Sequence, residues 1–297
     1  MLQNSNAALA EKEVKYGILF YQQASLFVFY YLVVFSAHYS RASGEPFPIG
    51  ARSWGIGNAT VAVADKQSVF NNPAGLGFLA HNYVSTSYHN RYTIAGLNTF
   101  SLGGNYTHKL ANVGLVIERF GDKLYHEQKI GLALAKSTGR VSLGIQVAYM
   151  QAAIAGYAAK HTLLTQFGVM AKLNSTIHIG FNAYNLTAAR LFVSQRVPTV
   201  LRLGFSYQPV KQLLLIGEAE KDIFLPVLFK AGLEYQIVRN FYLRTGITSK
   251  LSNAHFGIGF QAKQFIFDYA ASNHSMLGFS HHLTLAYQLG KTPQKSS

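Results

Sequence analysis

The stretch 141–149, VSLGIQVAY, alternates without a break between apolar side chains at odd positions and small or polar side chains at even positions. An alternation with a period of two marks a β-strand whose two faces meet different surroundings. The same pattern returns at 177–184, 201–207 and 255–260. Glycines fall repeatedly on the polar face, where they weaken a strand unless another backbone packs closely against it. We therefore expect the polar face to be crowded.

Strands of this kind fill the chain from residue 81 to residue 289. An even number of strands can close an antiparallel up-and-down barrel and leaves no free edge. Spanning strands of ~10 residues with short turns at one end and longer loops at the other are typical of transmembrane barrels. We predict an all-β fold, a transmembrane antiparallel up-and-down β-barrel of about 14 strands. The predicted strands are 81–89, 98–109, 111–120, 126–136, 138–151, 162–173, 175–186, 197–208, 210–220, 226–237, 239–249, 253–262, 264–271 and 278–289.

The connections between these strands are predicted from their turn-forming residues. Short turns are expected at 172–175 and 238–240, and longer loops at 152–161 and 186–196.

The composition is consistent with a membrane barrel. Charged residues make up 13% of the 297 residues, about half the roughly 25% of soluble domains. Aromatic residues and glycine are frequent, with 18 Tyr, 21 Phe and 26 Gly. After residue 37 no stretch reaches the ~18 apolar residues of a membrane helix. Dispersed hydrophobicity suits a transmembrane barrel, although a large soluble β-sandwich fits the composition equally well.

The net charge and the absence of cysteine limit the kinds of site and the kinds of partner that the chain can have. Without cysteine, the chain has no disulfides, thiol catalysis, thiolate metal sites or lipidated N-terminal cysteine. A net charge of +14 suits nucleic acid, anionic lipid or lipopolysaccharide. The basic residues are scattered through strands and turns, with no basic helix, zinc finger or RNP-like motif. We therefore predict outer-membrane lipid and lipopolysaccharide as partners and no nucleic acid.

The two ends of the chain differ from the barrel. Residues 24–37, ASLFVFYYLVVFSA, have the length of a signal-peptide core, and Ser40 and Ala42 are small residues suited to a cleavage site. We predict a signal peptide within 1–42, with an unusually long polar start, and export to the outer membrane. A buried helix or an uncleaved anchor is the alternative. Residues 290–297, GKTPQKSS, are predicted to be a polar tail.

Residues 43–80 lack the period-two pattern. They include a glycine-rich run at 49–60 and the stretch 70–79, FNNPAGLGFL. Pro73 has no N–H and restricts Asn72 to extended conformations, which predicts a corner. An irregular segment with few charges has to pack on something, and the lumen of a fourteen-strand barrel is wide enough to hold it. We predict a lumenal hatch at 43–80 that leads into a barrel at 81–289.

This hatch carries a resemblance to known proteins. The stretch 50–79, GARSWGIGNATVAVADKQSVFNNPAGLGFL, resembles the segment before the barrel in FadL-type proteins and in the PorV/PorQ family of Bacteroidetes outer-membrane proteins. Fragments at 127–133, 196–204, 229–235, 243–247, 256–260, 268–270 and 277–282 are similar to the same family in order and spacing. The resemblance implies that the hatch motif comprises Gly50, Arg52, Gly55, Gly57, Asp65, Asn72, Pro73, Ala74 and Gly75.

The resemblance also implies function. PorV/PorQ members include a shuttle and an attachment component of the type IX secretion system, whereas FadL relatives carry hydrophobic molecules inward. This chain departs from the secretion members in its shorter length and brief outer loops. The first hypothesis is a non-enzymatic PorV/PorQ-like outer-membrane protein, with secretion-system or envelope proteins as partners. The second is a FadL-like transporter with a hydrophobic small-molecule ligand, and the third is a barrel enzyme.

Charged residues on neighbouring strands form the main candidate site within the barrel. If the apolar positions face lipid, these residues point inward and their signs alternate around one wall. They would line a polar path or clamp the hatch, or form a salt-bridge network that only stabilises the barrel, since buried charges need partners. The predicted network comprises Arg202, Glu218, Glu220, Lys230, Glu234, Arg244 and Asp268.

The sequence gives little support for a metal site or a catalytic site. His281 and His282 are adjacent in a strand and point to opposite faces, and His255 adds no convergent ligand set. Serine and histidine occur together as Ser85 with His89 and in the 280–281 pair, but no G-x-S-x-G elbow is present. We predict no metal, no cofactor and no enzymatic activity.

Overall fold

The computed structural model describes residues 46–192, 195–249 and 253–290. Fourteen strands form a closed antiparallel barrel in which neighbours in sequence pair and the first strand pairs with the last. This confirms the predicted fold class. The barrel strands are β1 (Asn82–Asn90), β2 (Asn98–Tyr106), β3 (Asn112–Gly121), β4 (Tyr125–Thr138), β5 (Val141–Ile154), β6 (Lys160–Lys172), β7 (Ile177–Tyr184), β10 (Val200–Val210), β11 (Leu213–Asp222), β12 (Leu228–Val238), β13 (Phe241–Thr248), β14 (Asn253–Ala262), β15 (Phe265–His274) and β16 (Gly278–Leu289). Between β7 and β10 lies a small separate hairpin of β8 (Arg190–Phe192) and β9 (Gln195–Arg196).

The outward face of the barrel is apolar. On β5 the side chains of Leu143, Ile145 and Val147 are 52%, 50% and 46% exposed, whereas the residues between them are buried in the lumen. Among the described strand residues, the charged side chains on the outward face are Arg119, Lys136 and Lys221, each near a strand end. An apolar surface of this extent suits acyl chains and not water. The alternative prediction of a soluble β-sandwich is therefore wrong.

The two ends of the barrel differ in their connections. One end, called the short-turn end below, has brief turns such as 139–140, 211–212 and 239–240. The other, called the long-loop end, carries connections such as 91–97 and 185–199.

Two predicted loops differ from the structure. The loop expected at 152–161 is shorter, because β5 continues to Ile154 and β6 starts at Lys160. The loop expected at 186–196 contains the β8–β9 hairpin.

Residues 46–79 lie in the barrel lumen, and most of them are buried and the rest half-buried. They form the helices α1 (Ala51–Gly55) and α2 (Ser68–Asn71) and a 3₁₀-helix at Pro73–Phe78. Helical turns satisfy the backbone polar groups of a buried segment that lacks strand partners. Val69, Phe70 and Leu76 pack against Val116 and the alanines of β4. No helix among the described residues is long and apolar enough to cross a membrane.

Glycines on the lumenal face let this hatch lie directly on the wall. A Cβ at Gly144 would collide with the backbone of Pro73 and Ala74, and one at Gly180 would collide with the carbonyl of Val61. This confirms the expected crowding of the polar face. The lumenal glycines that meet the hatch in this way are Gly103, Gly114, Gly144, Gly168, Gly180, Gly204, Gly232, Gly246 and Gly257.

The Asn72–Pro73 corner has the predicted conformation. Asn72 is extended, with φ −151° and ψ 104°, and Pro73 opens the 3₁₀-helix. The Asn72 side chain accepts from the Ala74 N–H at 3.2 Å and donates to the Val61 carbonyl at 2.6 Å, so it fixes two parts of the hatch to each other. The predicted signal peptide at 1–42, the first residues of the predicted hatch at 43–45 and the tail at 291–297 lie outside the described residues.

Candidate functional site

The charged residues predicted to be lumenal all lie inside the barrel, in two groups. In the first, Lys230 Nζ lies 2.8 Å from Glu218 Oε1 and 2.7 Å from Glu220 Oε2. Arg202 Nε lies 2.7 Å from the same Glu220 oxygen. Strand register produces these contacts, because Arg202 is opposite Glu220 and Glu218 is opposite Lys230.

The second group lies on β12, β13 and β15. Glu234 is opposite Arg244 in the register, and the Arg244 Nε donates to Glu234 Oε2 at 2.5 Å. The Arg244 Nη1 donates to Asp268 Oδ1 at 2.8 Å. Arg244 therefore lies between two carboxylates, which compensates the cost of burying its charge.

The hatch supplies partners that the wall alone does not. Arg52 Nη2 lies 2.7 Å from Glu234 Oε1, and its Nη1 lies 2.8 Å from Asp65 Oδ2 within the hatch. Lys66 Nζ lies 2.8 Å from Asp268 Oδ2. Burial would lower the pKa of the Arg52 guanidinium, but the carboxylates of Glu234 and Asp65 raise it well above its ordinary value. Arg52 is therefore charged at every relevant pH.

Backbone groups of the hatch also bind the charged wall. Glu218 Oε2 accepts from the N–H groups of Thr60 and Val61 at 2.7 and 2.8 Å. Arg202 Nη2 donates to the carbonyl of Pro46 at 2.6 Å. Hatch and wall together form a charge-balanced clamp of five cations and five carboxylates, which comprises Arg52, Lys66, Arg202, Lys230, Arg244, Asp65, Glu218, Glu220, Glu234 and Asp268.

The glycines of the hatch motif have structural roles. Gly50 has φ +102°, which only glycine adopts easily, and its N–H donates to His89 Nε2 at 3.2 Å. Gly57 has φ +67° and lies against the backbone of β12 and β13. Gly55 packs on Arg244, and Gly75 packs on Ser68 within the hatch.

An aromatic cluster that sequence reasoning missed joins the hatch to β14, β16 and β1, next to the charged part of the wall. Trp54 stacks on His282, with ring centroids 4.0 Å apart and planes at 11°. His89 and His255 lie at centroid distances of 6.1 and 5.9 Å from Trp54. All three histidines occupy inward positions of their strands. The signal that could have revealed this cluster is the inward position of each histidine in its strand's alternation, combined with the single tryptophan of the hatch.

Toward the long-loop end, part of the lumen is apolar. The side chains that form this apolar lumen patch are buried and lie on β5, β6, β7 and β10. Leu191 and Val197 of the β8–β9 hairpin pack against these side chains. The patch comprises Ala148, Met150, Ala152, Leu164, Tyr184 and Val200.

The hairpin lies over a step in the rim of the barrel wall. β7 ends at Tyr184 and β10 begins opposite it at Val200, whereas β6 continues to Lys160 and pairs there with β5. Asn185, with φ +56°, starts the connection that lies over this step. Its side chain donates to the Val197 carbonyl at 2.8 Å and accepts from the Ala189 N–H at 2.9 Å.

An ion pair borders the apolar lumen patch. Lys129 is opposite Met150 in the register, and its Nζ lies 2.8 Å from Glu118 Oε1. The patch therefore has one polar edge, on β3 and β4.

A second space opens at the short-turn end. It is a cavity of about 300 Å³ with a polar lining that includes His178, Lys211, Tyr242, Arg52 and Glu234. The hatch turn at 60–63 separates it from the apolar lumen patch, since Val61 lies against Gly180 and Gly204 of the wall.

Neither metal nor hydrolase geometry is found in the described part of the chain. No group of three or more His, Asp or Glu side chains there converges on a common point. Ser85 lies 3.5 Å from Gln67, and His89 bonds to Gly50 and His282, so these two residues do not form a nucleophile–base pair.

Comparison with known proteins supports the fold. No protein-family model matches the sequence, and no curated protein is significantly similar to it. The structure is similar to the toluene transporter TbuX of Ralstonia pickettii, with a TM-score of 0.62 and 13% identity over 82% of this chain and 98% of that one. It is also similar to the P. putida toluene transporter TodX, with a TM-score of 0.59 and 11% identity over 84% of this chain and 100% of that one. At these identities the likeness establishes a shared barrel fold.

Proposed function

We propose that this protein admits hydrophobic small molecules across the outer membrane. The observation that carries the proposal is the apolar lumen patch, which lies at the long-loop end beside the step in the rim of the wall. Burial of a ligand there would gain roughly 25 cal/mol per Å² of apolar surface. The toluene transporters with the same fold support this reading over an enzyme.

The step in the rim would provide a route from the membrane to the patch. The outward-facing Leu163 of β6 and the exposed Leu186 of the connection lie at this step. A molecule dissolved in the outer leaflet would therefore reach the hairpin without crossing water. Movement of the hairpin would carry Leu191 and Val197 away and expose the patch. The Lys129–Glu118 pair would then meet a polar atom of the ligand.

The orientation and location follow from the same proposal. The short-turn end would face the periplasm and the long-loop end the exterior, as in other outer-membrane barrels. Export would use the signal peptide proposed at 1–42. Arg119 and Lys221, which lie outward near the long-loop end, would meet anionic groups of lipopolysaccharide.

Filling the patch tests the proposal directly. Ala152→Phe places a ring in the patch, whereas the matched control Ala153→Phe places it on the opposite face of the same strand. Both variants would be compared with the parent for uptake of toluene by cells of a deletion strain, after a heat-modifiable gel shift verifies that each barrel is folded. Uptake should fall for Ala152→Phe only. Equal uptake by the two variants would contradict the proposal.

A second candidate is a PorV/PorQ-like component of type IX secretion in a Bacteroidetes cell envelope. The clamped hatch favours it, because a lumen closed by ion pairs suits a barrel that binds other envelope or secretion-system proteins and conducts nothing. The same deletion strain distinguishes the two candidates. Lost secretion of type IX cargo with unchanged toluene uptake would support the second candidate and contradict the first.

A further inference from the structure

The hatch is attached to β1 and β16 by a pair of imidazoles that the proposed transport does not use. His282 stacks on Trp54, and His89 lies edge-on to His282 with centroids 5.0 Å apart and planes at 85°. The side chain of His89 is 2% exposed and that of His282 is 0% exposed. Their contacts with the hatch are therefore shielded from water.

Hydrogen bonds determine which nitrogen of each ring carries a proton. His89 Nε2 accepts from the Gly50 N–H at 3.2 Å, so the proton of the neutral ring is on Nδ1. That Nδ1 lies 3.3 Å from Nδ1 of His282, which must then be the acceptor. The proton of His282 is consequently on Nε2, 3.3 Å from Ser272 Oγ. The whole chain from hatch to wall requires both rings to be neutral.

Charged and titratable groups on several elements lie near the pair. Arg91, which follows β1, lies near both rings, and His281 and His255 lie near His282. Ser272 on β15 and Trp54 in the hatch are uncharged. Asp268 on β15 is opposite Thr284, two residues from His282 on the inward face, and is paired with Lys66 and Arg244. Lys230, near His255, is likewise paired with Glu218 and Glu220.

We infer that His89 and His282 form a proton-operated latch that holds Gly50 and Trp54 while both rings are neutral and releases them when either ring is protonated. A proton on His89 Nε2 would face the Gly50 N–H, donor against donor. A proton on His282 Nδ1 would face the N–H of His89 in the same way. The chain of bonds to the hatch breaks in both cases.

The direction of the pH dependence follows from proton linkage. The released hatch leaves imidazoles that bind protons below about pH 6.5, whereas the docked rings stay neutral. Because the released state binds more protons, acid favours release. Docking is therefore stable at neutral pH and is lost as the pH falls.

The chain contains a natural reporter, because Trp54 is its only tryptophan. The experiment is acrylamide quenching of Trp54 emission in the refolded full chain in detergent, between about pH 8 and about pH 4. Quenching should be weak at neutral pH and rise severalfold on acidification. A heat-modifiable gel shift at each pH shows that the barrel itself remains folded.

Two variants each remove one titratable ring and keep a hydrogen-bond acceptor. His89→Gln places an amide near Nε2, and His282→Asn places one near Nδ1, and neither amide titrates in this range. Because either ring can release the hatch, each single variant should keep a weaker transition from the remaining ring, and the double variant should show quenching that does not change with pH. The matched control is His281→Asn, since His281 points to the lipid side and bonds to the Tyr269 hydroxyl at 2.8 Å, and this variant should keep the transition.

Three results would overturn the latch. They are pH-independent quenching in the parent protein, a transition that persists in the double variant His89→Gln with His282→Asn, and a transition abolished by His281→Asn. If the double variant fails to fold, a transition of full parental size in both single variants overturns the latch. The measurement uses no ligand, so its outcome is independent of hydrophobic transport.

Discussion

Arg52 of the hatch and Glu234 of β12 are joined inside the barrel by two parallel hydrogen bonds, Nε to Oε2 at 2.8 Å and Nη2 to Oε1 at 2.7 Å. A guanidinium and a carboxylate matched in this way combine charge with directional geometry. Glu234 also accepts from Arg244 on the neighbouring strand. One carboxylate therefore links two wall strands to each other and to the hatch.

Arg52→Ala is expected to loosen the hatch and to open an ion path through the barrel. The change leaves Asp65 and Glu234 with less positive charge nearby, and an uncompensated buried charge costs about 3–5 kcal/mol. The measurement is conductance of the reconstituted protein in planar bilayers, where the parent is expected to stay closed. Arg52→Lys should show an intermediate conductance, because lysine keeps the charge and cannot form the two-point contact.

The control for this prediction is Arg119→Ala on the outward face. It removes a cation without touching the hatch, so its conductance should equal that of the parent. Conductance as low in Arg52→Ala as in the parent would show that the ion pair does not hold the hatch.

Gly168→Val is expected to displace the Asn72 corner. A Cβ at this position would collide with Asn72 Oδ1 and would come within 3.1 Å of the Ala74 nitrogen. Overpacking of this kind costs about 1–3 kcal/mol. The measurement is guanidinium unfolding of the folded barrel in detergent.

Ala171→Val, on the lipid-facing side of the same strand, is the matched control for Gly168→Val. It should leave the free energy of unfolding within about 0.5 kcal/mol of the parent value. An equal loss in both variants would place the effect in the strand and not in the hatch.

Part of this architecture was predictable from sequence and part was not. The period-two alternation indicated the strands and the inward direction of residues such as Glu234. The face on which a strand residue lies depends only on its position in this alternation, which can be read from the local sequence. The extension of β5 past residue 151 depends on cross-strand pairs such as Ala152 with Lys160, which local pattern does not encode. The partners that the hatch supplies, Arg52 and Lys66, were likewise hidden, because a segment without periodicity has no register from which to infer neighbours.

Asn185→Ala is expected to free the β8–β9 hairpin. The substitution removes the bonds to Val197 and Ala189, and a buried group left without its hydrogen bond costs about 1–3 kcal/mol. Alanine also tolerates the positive φ of this position poorly. Limited proteolysis of the folded barrel should cut within 186–196 faster than in the parent, and toluene uptake should rise.

Asn185→Gly separates the two causes. It accepts the backbone conformation and lacks the same side-chain bonds, so cleavage faster than in the parent identifies the hydrogen bonds as the anchor. Cleavage at the parent rate would mean that only the backbone conformation holds the hairpin.

Lys230→Met is expected to be among the most destabilising single changes in the wall. Lys230 neutralises both Glu218 and Glu220, and its removal leaves two buried carboxylates with Arg202 as their remaining cation in this group. Loss of one partner from a buried ion pair costs about 3–5 kcal/mol, more than a matched apolar replacement of the whole pair. Guanidinium unfolding should show this loss, whereas Lys263→Met in an exposed turn should change the free energy of unfolding by less than about 0.5 kcal/mol. A parent-like unfolding midpoint for Lys230→Met would mean that water reaches the two carboxylates and that the clamp is not a dry, charge-balanced unit.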